Sequence, residues 1–347
     1  MHIKQFDAVT DTEKTRACYD MYVAGKPADD PPGPLMSYPS FSVWFAHGWE
    51  NTPRETWIIP RDGDGIWPGG YSLELPDKEN THLARVQPFV APARRRAGIG
   101  TALLRHAARR AADAGRTLLS GDTRQDAPGS AFATAAGARH TGTEVRRVLE
   151  LASIPAGHLA ALRAKAEAAG TGYSLVSWPG LTPGEHLDQV ATVINAMEDA
   201  PHDPGEQPSI ADAGRLRKSE QLIVGSGTRA YSIAARHDGT GELAGLSQVY
   251  VEPSPEDWGY QGVTAVTRAH RGHRLGLLVK VAMLDWLAQA EPQLERITTG
   301  NAGANDHMIA INAEIGFQVL DTWPSWQLDV ARVLGDPVHS AAGATAN

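Results

Sequence analysis

Two stretches of the chain carry a helical stripe of apolar residues directly behind a glycine. In the first, Ile99, Ala102, Leu103 and Ala107 recur at i, i+3, i+4 and i+8, while Arg105, Arg109 and Arg110 fall on other faces. Gly115 is a natural C-terminal stop. In the second, Leu275, Leu278, Val279, Ala282, Met283 and Trp286 make an unbroken stripe. Both patterns predict a helix packed on a sheet. Strand-like runs precede each helix: Trp57-Ile58-Ile59, Tyr71 to Leu75 and Leu83 to Val90 before the first, and Arg229 to Ala235, Leu243 to Val251 and Gly262 to Val266 before the second. A helical region and a proline-rich loop are expected to open each block. A strand, a short helix and a final strand pair are expected to close it.

The two blocks are copies of one plan. Aligning Gly100 with Gly276 sets an offset of about 176 residues. Nearly the same offset relates Asp29-Asp30-Pro31-Pro32-Gly33-Pro34 to Asp199-Ala200-Pro201-His202-Asp203-Pro204, Gly137-Ala138 to Gly316-Phe317, and Leu149-Glu150-Leu151 to Leu328-Asp329-Val330. Four matches in one order point to a repeated fold. The expected organisation is a first domain over residues 1–154, an alanine-rich linker helix over 155–170, a second domain over 171–335 opening with the strand Tyr173 to Trp178, and a disordered tail over 336–347. The fold class is α/β (α+β), with a mixed sheet and flanking helices in each copy.

Composition narrows the chemistry. The 347 residues are 42% hydrophobic and 21% charged, which suits two packed cores. The net charge of −8 argues against nucleic acid or an anionic membrane as partner. Cys18 is the single cysteine, so neither an internal disulfide nor a cysteine-based metal cluster is expected. The first residues hold no apolar run of signal-peptide length, and no run approaches the roughly 18 apolar residues of a membrane span. A cytoplasmic location is the expectation.

Charge is distributed unevenly, and that changes the picture. Residues 94–116 hold seven arginines against Asp113 alone, and residues 268–280 hold Arg268, Arg271, Arg274 and Lys280 without an acid. In each copy a strand, a basic loop and a glycine lead into a helix whose first N–H groups lack internal partners. Glycines there let a phosphate approach the backbone, and neighbouring arginines add charge-assisted hydrogen bonds. The loops Arg95-Arg96-Ala97-Gly98-Ile99-Gly100-Thr101 and Arg271-Gly272-His273-Arg274-Leu275-Gly276 are therefore candidate pyrophosphate cradles. A Rossmann loop and a P-loop are excluded, because neither G-x-G-x-x-G nor Gly-Lys-Ser/Thr occurs here. Arg105, Arg109 and Arg110 are equally well read as a solvated helix face.

Arg95-x-x-Gly98-x-Gly100 between a strand and a helix resembles the coenzyme A loop of the GCN5-related N-acetyltransferases (GNAT). Asn301, Asn305, Met308, Asn312 and Gly316-Phe317 resemble the family's late helix and following strand, with Gly129-Ser130-Ala131-Phe132 and Gly137 as the paler equivalent. The resemblance spans nearly the whole chain and is nearest to the tandem members of actinomycetes, a group that includes mycothiol synthase and antibiotic-pathway proteins. It implies two GNAT domains, each with a mostly antiparallel sheet splayed at its centre. Pantetheine would pair with backbone near Phe89 and Val90, or near Ala265 and Val266, as an added strand. The implied activity is acyl transfer, with acetyl-CoA as co-substrate, from the thioester to the amine of a small molecule by direct attack. No metal is implied, and a fused pair mimicking a homodimer suggests a monomer.

Two departures from the family pattern stand out. Arg274 occupies the place of the first loop glycine, which makes the first copy the surer acetyl-CoA site and leaves the second open between active, altered in acyl preference and degenerate. The family's thiolate-protonating tyrosine is replaced by Ala133 and Asn312, neither of which is an acid. A CoA-binding sensor or scaffold is the alternative reading. Candidate bases on the central strands are Glu74 in the first copy and Tyr250, Asp257 and Tyr260 in the second. Asp29, Asp30, Glu198 and Asp199 are candidate acceptor-pocket residues, or simply solvated helix ends. His106, His270 and His273 suggest no metal site, and most of the nine tryptophans are expected in cores.

Overall fold

The computed structural model describes residues 1–48, 51–199, 205–302 and 305–335. The first half runs β1 (Lys4–Phe6), α1 (Thr12–Asp29), α2 (Tyr38–His47), β2 (Arg54–Ile58), β3 (Gly69–Glu74), β4 (Leu83–Val90), α3 (Ile99–Asp113), β5 (Leu118–Asp122), α4 (Pro128–Ala135) and β6 (Arg139–Glu150). Helix α5 (His158–Ala169) connects it to the second half: β7 (Tyr173–Pro179), α6 (Leu187–Asn195), α7 (Ala213–Gly225), β8 (Arg229–His237), β9 (Leu243–Val251), β10 (Trp258–Val266), α8 (Leu275–Ala290), β11 (Arg296–Ala302), α9 (Asp306–Ile315), β12 (Gln318–Asp329) and α10 (Val330–Leu334). Local chemistry marks the helix ends. Asp11 accepts from the Lys14 N–H at the start of α1, Asn305 accepts from the Met308 N–H at the start of α9, and α9 stops at Gly316 with φ +118°.

All twelve strands join one sheet, in the order β1-β2-β3-β4-β5-β12-β6-β11-β10-β9-β8-β7. The two halves have exchanged their last strands. β12, the end of the second half, pairs with β5 of the first; β6, the end of the first half, pairs with β11 of the second; and β6 and β12 pair with each other. In place of a final strand pair, each half ends in a single twelve-residue strand. Pairing is antiparallel except for β4 with β5 and β10 with β11. The long, bulged β6–β12 ladder at the centre is antiparallel as well.

Helices cover both faces of this sheet. α3 packs on Ala84, Leu119 and Leu328, while α5, α8 and α9 pack on Leu149 and Ile297. On the opposite face α1 and α2 bury Phe41 and Phe45 against Phe6 and Ile58, and α6 buries Val190 and Val193 against Leu246. Polar bonds cross between the halves on this second face. The Glu252 carboxylate accepts from the Ser37 hydroxyl (3.0 Å) and the Ser40 hydroxyl (2.5 Å) at the first turn of α2. Asn80 and Gln207 are joined by three hydrogen bonds, of 2.6, 2.8 and 3.1 Å.

The α8 stripe seen in the sequence understates how enclosed that helix is. Every residue from Leu275 to Leu284 is buried, because α5 lies over the face that would otherwise meet solvent. Lys280 is caught in this packing at 2% exposure, its Nζ 4.9 Å from the centre of the Phe317 ring and without a hydrogen-bond partner among the described residues. Burial lowers its ammonium from its ordinary value of 10.5 to about 7. Between those values the unfolded chain holds the extra proton, so stability should rise as pH climbs from about 7 towards 10.5. Lys280→Met should raise the melting temperature near neutral pH and flatten that rise. The expected gain is on the order of a few kcal/mol at about pH 7, measurable by thermal denaturation across this pH range.

Candidate active site

Each half contains a wedge between two parallel strands. β4 and β5 pair only over Leu83–Arg85 and Leu118–Ser120, after which β4 runs on to Val90 paired with β3 alone. β10 and β11 pair only over Trp258–Tyr260 and Arg296–Thr298, after which β10 runs on to Val266. At the open end of each wedge the chain makes a short 3₁₀ turn, Pro92–Arg94 or Arg268–His270, and then enters α3 or α8.

The two loops share one backbone shape and arrive at it differently. Each has two left-handed residues, Arg96 (φ +66°) and Gly98 (φ +78°) in the first, Gly272 (φ +89°) and Arg274 (φ +53°) in the second. Glycine and arginine have traded places. A left-handed arginine carries a steric cost that glycine avoids, yet Arg274 starts α8 in the conformation with which Gly98 starts α3. No side chain caps either helix, so the backbone N–H groups at Ile99, Gly100 and Thr101, and at Leu275, Gly276 and Leu277, lack a side-chain acceptor. Gly100 and Gly276 also let the next helix approach: a side chain there would press on Phe132 (3.3 Å) or Ile311 (3.2 Å).

The first arginine of each loop acts on the strand before it. Arg95 Nε donates to the Val90 carbonyl and Arg271 Nε to the Val266 carbonyl, both at 3.2 Å. The Arg95 fork is further occupied by Asp29, at 3.0 and 2.7 Å. Arg96, Ala97, Gly98, Thr101, His273 and Arg274 are exposed around the cradles. Phe89 and Val90 lie at the end of β4, half-buried against separate cores. His270 is tied to the Tyr173 hydroxyl (2.8 Å) and His106 to the Tyr71 hydroxyl (2.6 Å).

A profile of the acetyltransferase (GNAT) family matches residues 16–131. The chain is also 31% identical to a tandem GNAT protein from the clavulanic acid biosynthesis pathway, over 95% of this chain and 98% of that one, with a TM-score of 0.77. The chain belongs to the GNAT family. Its fold is shared with a GCN5-related N-acetyltransferase from Sphaerobacter thermophilus (15% identity, 95% of each chain, TM-score 0.62) and a GNAT-family acetyltransferase from Colwellia psychrerythraea (11% identity, 95% and 99%, TM-score 0.56). No curated protein sequence was matched.

The two GNAT wedges differ on the face covered by α1, α2, α6 and α7. In the first, β3 and β4 stay in register from Glu74↔Arg85 to Gly69↔Val90. At its closed end Glu74 of β3 holds Arg54 at 2.6 Å and Arg85 at 3.1 Å, so both carboxylate oxygens are engaged. In the second, β10 carries an extra residue, since Gln261 pairs with Val249 but Thr264 with Ser247. Such a bulge unhooks backbone groups from the ladder. The buried Gln261 amide fills part of the gap, donating to the Gln248 carbonyl at 2.6 Å, while Gly262 leaves room for the Tyr250 ring.

Of the candidate bases, Tyr260 lies where β10 leaves β11, and Tyr250 faces it across the β9–β10 ladder. Burial raises the Tyr250 phenol, so it stays protonated at neutral pH, while Tyr260 is 55% exposed. Asp257 sits before the closed end of the wedge, bonded to Arg296 at 3.1 Å, away from the opening. Asn312, at the position of the family's tyrosine, is fully buried, donates to Asn301 at 2.8 Å, and keeps its Oδ1 without a partner among the described residues. Ala200-Pro201 and the tail from 336 lie outside the described residues, as do the side chains of Glu198 and Asp199.

Sequence reasoning missed Glu144. It stands on β6 opposite Ala302 of β11, and its carboxylate occupies the space that a side chain at Gly300 would need. The signal was available only through strand order, because Glu144 belongs to the first half and the wedge to the second. For the cradle, the cost of a side chain at a left-handed position is directly testable. Nothing lies within 4 Å of a Cβ at Gly98, so Gly98→Ala should cost about 1 kcal/mol from backbone strain alone. Arg96→Gly should cost no more than a few tenths of that, read as the shift in urea midpoint.

Proposed function

We propose that this protein is an acyl-CoA-dependent N-acyltransferase that moves an acetyl group, or another acyl group, from coenzyme A to the amine of a small molecule by direct attack. The observation that carries this reading is the pairing, twice over, of a splayed parallel strand pair with an uncapped helix start built on two left-handed residues. Loop N–H groups and the arginines around them suit the pyrophosphate, and the unpaired inner edge of β4 or β10 suits the amide groups of pantetheine. The thioester carbonyl would then meet the backbone freed at the β10 bulge, where an N–H can stabilise the developing oxyanion.

Both cradles take acetyl-CoA in this reading, and the second wedge turns it over. In the first wedge both Glu74 oxygens are taken by Arg54 and Arg85, so the strand offers no free carboxylate base, which favours a structural or sensing role for acetyl-CoA bound there. The solved tandem relative belongs to clavulanic acid biosynthesis, which supports a specialised-metabolism amine as acceptor. The net charge of −8 favours a cationic one. Native mass spectrometry should find two CoA molecules per chain, and Arg96→Glu or Arg274→Glu should each remove one. Thiol release from acetyl-CoA with a panel of primary amines should exceed background hydrolysis at least a hundredfold for some amine and should collapse in Arg274→Glu. Tight CoA binding with no amine-dependent release would leave a sensor or scaffold as the function.

A further inference from the structure

We propose that the acceptor site of the second copy is completed by the first, with Glu144 of the exchanged strand β6 taking the proton from a cationic primary amine. This rests on the transferase reading and adds the residue, its origin and the charge class of the acceptor.

The geometry is that of an open surface at the splay, where residues of β6, β10 and β11 meet on one face of the sheet. Tyr260 and Thr298 are the last paired residues before β10 and β11 separate, and Thr298 pairs in turn with Val148 of β6. Directly paired residues share a face of the sheet, and that face recurs at every second residue. Tyr260, Gly300, Arg146 and Glu144 therefore all point to the side carrying α1. Glycines stand on both diverging strands, Gly262 at the bulge and Gly300 opposite. Tyr250 fills the side-chain space of the first and Glu144 that of the second. The carboxylate is thereby bent back over β11 towards the wedge. Among the described residues none bonds to it, although it lies in a region thick with ion pairs.

The surroundings select for positive charge. Arg146 is held by Asp30, the residue just past α1, and by Asp321 of β12, and Lys26 by Asp30 at 2.6 Å. With Asp122 of β5 and Glu144 itself, four carboxylates face two cations. Desolvation by the neighbouring side chains and the charges of Asp122 and Asp321 raise the Glu144 carboxyl, Arg146 opposes them, and the residue as a whole stays exposed to solvent. Such a group accepts a proton more readily than an ordinary surface carboxylate. The first copy has no counterpart. At the ladder positions of Tyr260, Gly300 and Glu144 it carries Arg85, Asp122 and Trp323.

The step balances without a further reagent. Glu144 takes one proton from the ammonium and becomes a carboxylic acid; the freed lone pair forms the C–N bond at the thioester carbonyl. As the C–S bond breaks, the sulfur leaves with the electron pair and takes a second proton from the adduct nitrogen, giving amide and free thiol. Glu144 then returns its proton to solvent.

Full-length wild type, Glu144→Gln and Gly300→Ala would be compared with acetyl-CoA and a panel of amino acids, polyamines and aminoglycosides. Thiol release measures turnover, and calorimetry measures acetyl-CoA binding. Glu144→Gln should lose at least a hundredfold in kcat with acetyl-CoA affinity unchanged. Gly300→Ala, which pushes the carboxylate aside, should lose tenfold or more. The wild-type acid limb of kcat should fall above the ordinary glutamate value of about 4.3, because activity is lost as Glu144, facing Asp122, Arg146, Asp321 and Tyr260, becomes protonated. That limb should be missing from the residual rate of Glu144→Gln. Wild-type rates in Glu144→Gln would overturn the assignment while leaving the transferase reading intact. Amine-independent thiol release in the wild type would overturn both.

Discussion

The structure depends on a sheet that must come apart at two places without falling into pieces. A parallel pair that diverges after three residues leaves backbone groups unpaired and gives the sheet a weak seam. Here the seams between β4 and β5, and between β10 and β11, are held from behind by strands that cross from one half to the other. β12 backs β5 and β6 backs β11. The β6–β12 ladder, built from two twelve-residue strands, is the rigid spine from which both wedges open.

That spine makes the interface between the halves a core feature and not a docked surface. Apolar packing on one face and a chain of ionic contacts through Arg146 on the other both run across the join. Leu328 of the second half belongs to the same core as Leu119 and Leu103 of the first. The carboxylate of Glu252 adds a polar tie at the positive end of α2, where it accepts from the Ser37 and Ser40 hydroxyls.

Much of the repeat was legible in the chain. Helical stripes behind Gly98 and Arg274, strand runs at matching spacing and two basic loops define the copies without reference to coordinates. What could not be read is where equivalent pieces go. β6 and β12 occupy equivalent places in the repeat, and each could pair with its own copy or the other; only packing decides. The same ambiguity hid Glu144, whose role follows from a neighbour about 156 residues away along the chain. Arg274 was misleading for a different reason. A glycine in a cradle signals a left-handed backbone, but the backbone can be left-handed without one when the surrounding turn imposes it. Glu74 was a plausible base by position, and only the approach of Arg54 and Arg85 shows its oxygens already taken.

The exchanged strands also set an order of events for a chain being synthesised. When residue 170 has left the ribosome, the first half has its helices and five of its strands in place, but β5 still lacks its inner neighbour and β6 has no partner on either side. β11 can fill one side of β6, but the place beside β5 and the other side of β6 are filled only after β12 emerges at the far end of the chain. The usual sequence, in which a finished N-terminal domain waits for the next, does not apply to this topology. An unfinished sheet with two open edges persists for most of translation, and the two halves reach their native form together.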